Sequence, residues 1–402
     1  SAQRSKSLDK PINMTGLAQI ALRLKATEQL NGVPDVINCI ASAYHDVYDA
    51  DTETWTPTLT SNPAWQFCDV LRRRGVTTLP SAARVDVSPG SSILSWAEAC
   101  DEPAPNATEK RWRSNGVLEG GSILSAAQLI AASGRAQMTI ASSGKYGVIR
   151  DTPQTTPVAH ISPRNSSNYR GARAFADLPH ALRVTFVNPD KDDAIDEVLV
   201  YRDDYNADGS GGKTAASKFE QLDLPLCRSA TLAWREGRYH LAVLELRREE
   251  HQVSQDFEAL ACTNGSFVRF SHDVIAVGLA SGRIIDLEID GSDITALHLD
   301  IEVTMPEPTT AYAVRVRHAD QTSTLHAVDY DAGPTGTLTL ATPVAVSGGP
   351  EVGDLVMFGE SGVETMPAIV KHIRRGPNLT ARLTLVDAAT GVHTADTGAI
   401  PP

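Results

Sequence analysis

The run Asp204-Tyr205-Asn206-Ala207-Asp208-Gly209 places oxygen donors at the first, third and fifth positions before a glycine. That is how a calcium-binding loop opens, because a hard cation takes oxygen ligands and the glycine permits the sharp bend. The twelfth position, where such a loop needs a bidentate glutamate, is Ala215. Asp204, Asn206 and Asp208 therefore define a weak cation loop at most, with calcium the only cofactor to consider. In the same stretch, Gly212-Lys213-Thr214 imitates the end of a phosphate-binding loop. The glycine required upstream would stand at 207, which is alanine, so no nucleotide site is expected.

Other reactive groups are dispersed. Eleven histidines form no HExxH motif, and no G-x-S-x-G elbow occurs. His318 and His326 flank a turn and could meet across a hairpin. Asp192-Asp193 and Asp203-Asp204 supply the paired carboxylates of a glycosidase in principle, but they fall at turns, where carboxylates are normally solvated. Five cysteines, at 39, 68, 100, 227 and 262, include no CxxC pair. A zinc ribbon or disulfide framework is not expected. No catalytic residue is nominated.

The elements that would carry these residues suggest several domains, as 402 residues exceed one ordinary core. Up to about residue 110 the chain mixes helix and loop. Leu17 to Leu30 reads as a helix, and Val36 to Tyr48 as an ambiguous strand. Asn62-Pro63-Ala64-Trp65 opens a further helix, with Asn62 as cap, Pro63 in the first turn and Trp65 on the apolar side; Gly75 stops it. Ser91 or Ser92 starts another, carrying Ile93, Leu94 and Trp96.

Residues 111–180 read as a β-α-β-β module followed by a linker. Its parts are a strand from Arg111 to Leu118, a helix from Ile123 to Ala132 with Leu124, Ala127 and Ile130 on one side, and a hairpin from Ala136 to Arg150. The turn-rich stretch 151–180 is the linker or extended arm. Residues 181–258 form an α+β module. Leu182, Val184 and Phe186 alternate, Ile195 to Tyr201 pairs with them, Ala230 to Leu246 is a helix despite Gly237, and a strand follows at 252–258.

From 259 to 395 the pattern is almost wholly β, and 396–402 reads as the start of a linker within a longer protein. Val274 to Val277 is read there as a strand. Asp273-Val274-Ile275 and Gly353-Asp354-Leu355-Val356 are read as starts of equivalent barrel strands. The fold class is thus α+β, β-dominated and multidomain: small αβ modules followed by one or more small β-barrels.

Composition limits the partners. Thirty-six basic against 49 acidic residues give a formal net charge of -13, which repels nucleic acid. The basic runs Arg72-Arg73-Arg74, Lys110-Arg111-Trp112-Arg113 and Arg374-Arg375 are far apart and carry no aromatic ladder. An acidic chain could still line a conduit through which DNA passes without sticking. The longest apolar runs are strand-length, too short for a helix to cross a bilayer.

Several stretches, taken in order, resemble the central tip attachment or host specificity proteins of long-tailed bacteriophages and the related hub proteins of gene transfer agents. Ser61-Asn62-Pro63-Ala64-Trp65-Gln66-Phe67-Cys68-Asp69-Val70-Leu71, preceded by an extended arm with Trp55 and Pro57, is similar to that family's N-P-A-W helix. The segment from Arg111 to Arg150 has the layout of the family's next module. Arg183-Val184-Thr185-Phe186-Val187-Asn188-Pro189-Asp190 resembles the strand and turn that open the one after. Ala381 to Asp387 looks like a closing barrel strand. The glycine-rich insertion at 203–214 departs from the pattern.

The resemblance implies a virion component at the distal tail tip, assembled in the host cytoplasm as a homotrimer that closes the tail tube. Its implied partners are distal tail and tail tube proteins, the tape-measure protein and tail fibre proteins. DNA would be passing cargo, and the host surface would be reached through regions beyond this segment. Such a chain would not be an enzyme. The alternatives are a glycan-binding β-sandwich protein, which needs exposed Trp or Tyr in a groove, and a multidomain hydrolase.

Overall fold

The computed structural model describes residues 39–73, 84–105, 108–141, 143–173 and 177–400. The chain separates into a first unit, Ser1–Ala43, and a second, Tyr44–Pro402. In the first unit only residues 39–43 are described, without regular structure. The helix expected from Leu17 to Leu30 and the Gly75 stop lie outside the described residues.

The second unit opens with a hairpin of β1 (Tyr44–Asp49) and β2 (Thr54–Leu59), followed by helices α1 (Pro63–Arg73), α2 (Ser92–Asp101) and α3 (Ile123–Ser133) and a second hairpin, β3 (Ala136–Ile140) with β4 (Tyr146–Arg150). Local chemistry sets the helix starts. The Asn62 Oδ1 accepts the Ala64 N–H at 2.9 Å, while its amide donates to the Ala97 carbonyl, tying α1 to α2. Ser91 caps α2, and Ser122 with Ser125 forms a capping box on α3. Phe67 and Trp96 meet edge to face at 5.8 Å in the core of this module.

Two expectations fail here. Residues 111–118 are extended but belong to no sheet. Their N–H groups go singly to other segments, Ser114 to the Ser61 carbonyl and Asn115 to that of Leu226. A strand-like sequence can thus satisfy its backbone without a ladder. Leu124 is 45% exposed, so the buried face of α3 is Ala127, Ile130 and Ala131 instead.

Next come β5 (Ala159–Ile161), β6 (Ser167–Arg173), β7 (Ala181–Asn188), β8 (Ala194–Tyr201), the short pair β9 (Tyr205–Asn206) and β10 (Thr214–Ala215), β11 (Phe219–Asp223), α4 (Ala230–Leu246), β12 (Glu249–Gln255) and β13 (Phe267–Phe270). Strands β11-β7-β8 form a sheet. Leu182, Val184 and Phe186 face α4, with Val200, Leu232 and Leu241 buried beside them. Gly237 lets the helix approach: a Cβ there would lie 2.6 Å from Val200 Cγ2 and 2.9 Å from Val184 Cγ2. The strand expected at 252–258 is β12, displaced toward the N-terminus, and Phe257–Ala261 forms a 3-10 turn.

The remaining strands are β14 (Ala280–Asp290), β15 (Asp293–Thr304), β16 (Tyr312–Arg317), β17 (Ser323–Val328), β18 (Pro334–Ala345), β19 (Leu355–Glu360), β20 (Met366–Arg375) and β21 (Ala381–Asp387). The chain then makes one turn of helix, α5 (Gly391–Thr394), and a 3-10 turn, Ala395–Thr397. Strands β14-β15-β18-β17-β16-β19 close a barrel around Leu297, Val314, Leu338 and Phe358. The other sheet runs β5-β13-β20-β21-β12-β6.

The barrel is therefore an insertion. The chain leaves the six-stranded sheet after β13, builds the barrel, and returns antiparallel to β13 as β20. The stretch expected as a linker, 151–180, supplies both outer strands of that sheet, β5 and β6. Asp273-Val274-Ile275, expected to start a barrel strand, is a 3-10 turn at the exit toward the barrel. Its apolar residues follow strand patterning, but Val274 is 70% exposed.

Candidate functional site

Several oxygens of the 203–214 loop bond within the loop itself. Asn206 Oδ1 accepts the Gly209 N–H at 2.6 Å, and its amide donates to the Ser210 carbonyl at 2.9 Å. Asp208 Oδ1 accepts the Ser210 N–H at 3.0 Å, and this bond holds its carboxyl below the usual range. The Asp204 carbonyl accepts from Thr214 as β10 pairs with β9. Asp204, Asn206 and Asp208 thus close a turn. Among the described residues, no group of three His, Cys, Asp or Glu side chains has an arrangement suited to a metal ion. Gly212-Lys213-Thr214 runs into strand β10 and not a helix, so the backbone N–H cradle of a phosphate loop is not formed.

Asp192 and Asp193 both adopt left-handed backbone at a turn, and Asp193 pairs with Arg228. His318 and His326 meet indirectly: their Nε2 atoms lie 2.8 and 2.7 Å from the one Thr324 hydroxyl. Trp65, Trp96 and Trp234 are buried, and Trp55 and Trp112 are packed at intermediate burial. Burial pushes the Cys68 and Cys227 thiols up to about 12, far from the thiolate a nucleophile needs.

What the fold does bring together is a buried cluster of charge at the meeting of four segments. The extended arm contributes Glu109, Arg111 and Trp112; Arg135 stands at the end of α3; α4 contributes Arg235 and Glu236; and the last turn contributes Asp396. Arg135 Nε donates to Glu236 at 2.9 Å and its Nη2 to Asp396 at 2.7 Å. Arg111 donates to the same Asp396 oxygen at 2.7 Å, and Trp112 Nε1 donates to Glu236 at 3.0 Å. Arg235, 1% exposed, reaches Glu109 at 3.1 Å. The Arg135 guanidinium also lies over the Tyr239 ring, 4.1 Å from its centre.

Electrostatics explain why this arrangement persists. Burial alone would lower the Arg135 pKa, but Glu236 and Asp396 outweigh it and hold the guanidinium more firmly charged. Beside it, burial would raise the Asp151 carboxyl. The bidentate Arg247 and the Tyr239 hydroxyl overcome that and hold it below its ordinary value. Each of these carboxylates is anchored by at least one arginine. The cluster fastens modules together.

Sequence reasoning passed over it. In the sequence Arg111 and Arg113 are only part of a basic run, and Asp396 falls at the start of an expected linker. One signal was present: Arg235-Glu236 lies on the buried side of α4, among Leu232, Ala233 and Trp234. Charge on an apolar helical face implies a partner.

A cavity of about 500 Å³ adjoins the cluster, between α3, β4, the Leu222–Cys227 stretch and the six-stranded sheet. Its wall is chiefly apolar, with Ile149, Leu224 and Val370 among its residues. It reaches solvent past exposed Ala132 and Asp223. Most charged groups around it are spoken for, Lys371 by Glu250 and Asp223 by Thr185 and Gln221. Arg150 is the exception: its half-buried guanidinium has no hydrogen bond or ion pair among the described residues. Burial lowers its pKa, with Glu102 acting on it only at a distance.

No protein-family model matches the sequence, and no curated protein does. Among solved structures, the chain is similar to the tail protein from Neisseria meningitidis MC58, at 8% identity and a TM-score of 0.35 over 73% of this chain and 62% of that one. It is also similar to the prophage MuSo2 43 kDa tail protein from Shewanella oneidensis, at 9% identity and a TM-score of 0.29 over 59% of this chain and 57% of that one. A third likeness is to a chain in the virion of a native gene transfer agent particle, at 13% identity and a TM-score of 0.32 over 66% of this chain and 50% of that one. The chain spans 62%, 57% and 50% of the length of these three. At these scores the likeness carries no conclusion about function.

Proposed function

We propose that the chain is a structural component of a phage-type tail, the hub segment at the distal tip of the tube. The observation that carries this reading is the six-stranded sheet with a closed barrel inserted between β13 and β20. The sheet ends on β5 and β6, each paired on one side only among the described residues; β5 is buried, whereas β6 is exposed along almost its whole length. An exposed edge such as β6 invites pairing with another chain. In a homotrimer, three such sheets would complete a ring around a bore, while the barrels and helical modules stand outside it. The ordered motifs from Asn62-Pro63-Ala64-Trp65 onward support the same assignment.

In that position the chain would contact distal tail and tail tube proteins, the tape-measure protein and tail fibre proteins. An acidic chain with formal net charge -13 would let DNA pass without binding it. Contact with the host surface would belong to regions outside this segment. Antibodies raised against the chain test the assignment on tailed particles that contain it. Gold label confined to the distal tail end is the expected result; label on the capsid or along the tube would refute it.

A further inference from the structure

We propose that the cavity between β4 and the six-stranded sheet is a binding site for a single-headed anionic amphiphile, a molecule with one carboxylate and a linear apolar body. The volume, about 500 Å³, falls in the range of small-molecule sites. An apolar body would replace water against Ile149, Leu224 and Val370. The headgroup is set by the charge left over. Asp151 and Glu236 are neutralised by Arg247 and Arg135, and Lys371 is held by Glu250. Arg150 lines the cavity without a partner, and Arg113, paired to Asp101 through one nitrogen, keeps a buried Nη1 unsatisfied.

Both arginines line this one cavity. A half-buried guanidinium without a protein acceptor is open to a ligand, and a carboxylate supplies a matching acceptor pair. The site is independent of the tail assignment, and either could fail without the other.

The test uses the full chain titrated calorimetrically with decanoate and, separately, with decyltrimethylammonium, which has the same chain and opposite charge. One decanoate per chain is expected, with no saturable binding of the cation. Arg150→Gln should weaken decanoate about tenfold or more and leave thermal unfolding unchanged, because the wild-type guanidinium has no partner to lose. Ala132→Trp, at an exposed helical position on the cavity rim, should block entry. Absence of decanoate binding, equal binding of the two amphiphiles, or indifference to either variant would overturn the proposal.

Discussion

Asp396 and Arg135 are 261 residues apart in the chain and 2.7 Å apart in space, and the Asp396 side chain is 1% exposed. Arg111 shares the same carboxylate oxygen. One buried aspartate in the final turn therefore locks the C-terminal end of the chain onto the first module, across α4.

Removing it should cost more than the cluster contributes as a whole. Replacing a buried ion cluster by packed apolar groups is often neutral, whereas deleting one partner strands the others without water. Asp396→Ala leaves Arg135 with Glu236 alone and Arg111 with no carboxylate. The expected loss is about 3–5 kcal/mol in urea unfolding. A loss under about 1 kcal/mol would show that water already compensates the cluster.

Gly237 gives a second expectation, opposite in sign to helix propensity. In an exposed helix, Gly→Ala stabilises by about 1 kcal/mol. Here the new methyl would meet Val184 and Val200 well inside contact distance. Gly237→Ala should instead destabilise by about 1–3 kcal/mol. The paired variant Gly237→Ala with Val200→Ala should recover part of that loss in thermal unfolding, since it vacates the nearer clash.

A pH dependence follows from His160, which is 1% exposed and has no hydrogen bond on either ring nitrogen. It lies in β5 opposite Arg269 of β13. Burial first, then Arg315, Arg317, Arg269 and His318, lower its pKa from 6.5 to about 3. Below pH 6.5 the unfolded chain takes up a proton that the folded chain refuses until about pH 3. Stability is therefore fully present above 6.5 and falls as pH drops through that window. The slope for one group is at most about 1.4 kcal/mol per pH unit. His160→Phe should flatten the dependence, seen as the difference between the two proteins' unfolding free energies at pH 7 and pH 5. Parallel curves would contradict this.

Much of the local structure was legible in the residues. Asn62-Pro63 starts α1 because a capping amide and a proline satisfy the first turn, and that needs no distant partner. The alternation of Leu182, Val184 and Phe186 gave β7 for the same reason: one face is buried. What stayed hidden was non-local. The exposed strand β6, Ser167–Arg173, has no alternation to betray it, and only pairing with β12 makes it a strand. The nesting of the barrel within the sheet depends on β13 meeting β20 across the whole intervening barrel, a relationship no periodicity encodes. The charge cluster was missed likewise, since Arg111, Arg135, Glu236 and Asp396 become one object only after folding.

The central claim is that this chain works as a shaped, self-associating scaffold through the exposed edge β6. Electron microscopy of the purified chain under near-native, tail-like conditions tests it most directly. The account predicts an annular particle with threefold symmetry and a central bore, its subunits joined by strands of the six-stranded sheet. A monodisperse monomer, or an assembly in which that edge faces solvent, would contradict it.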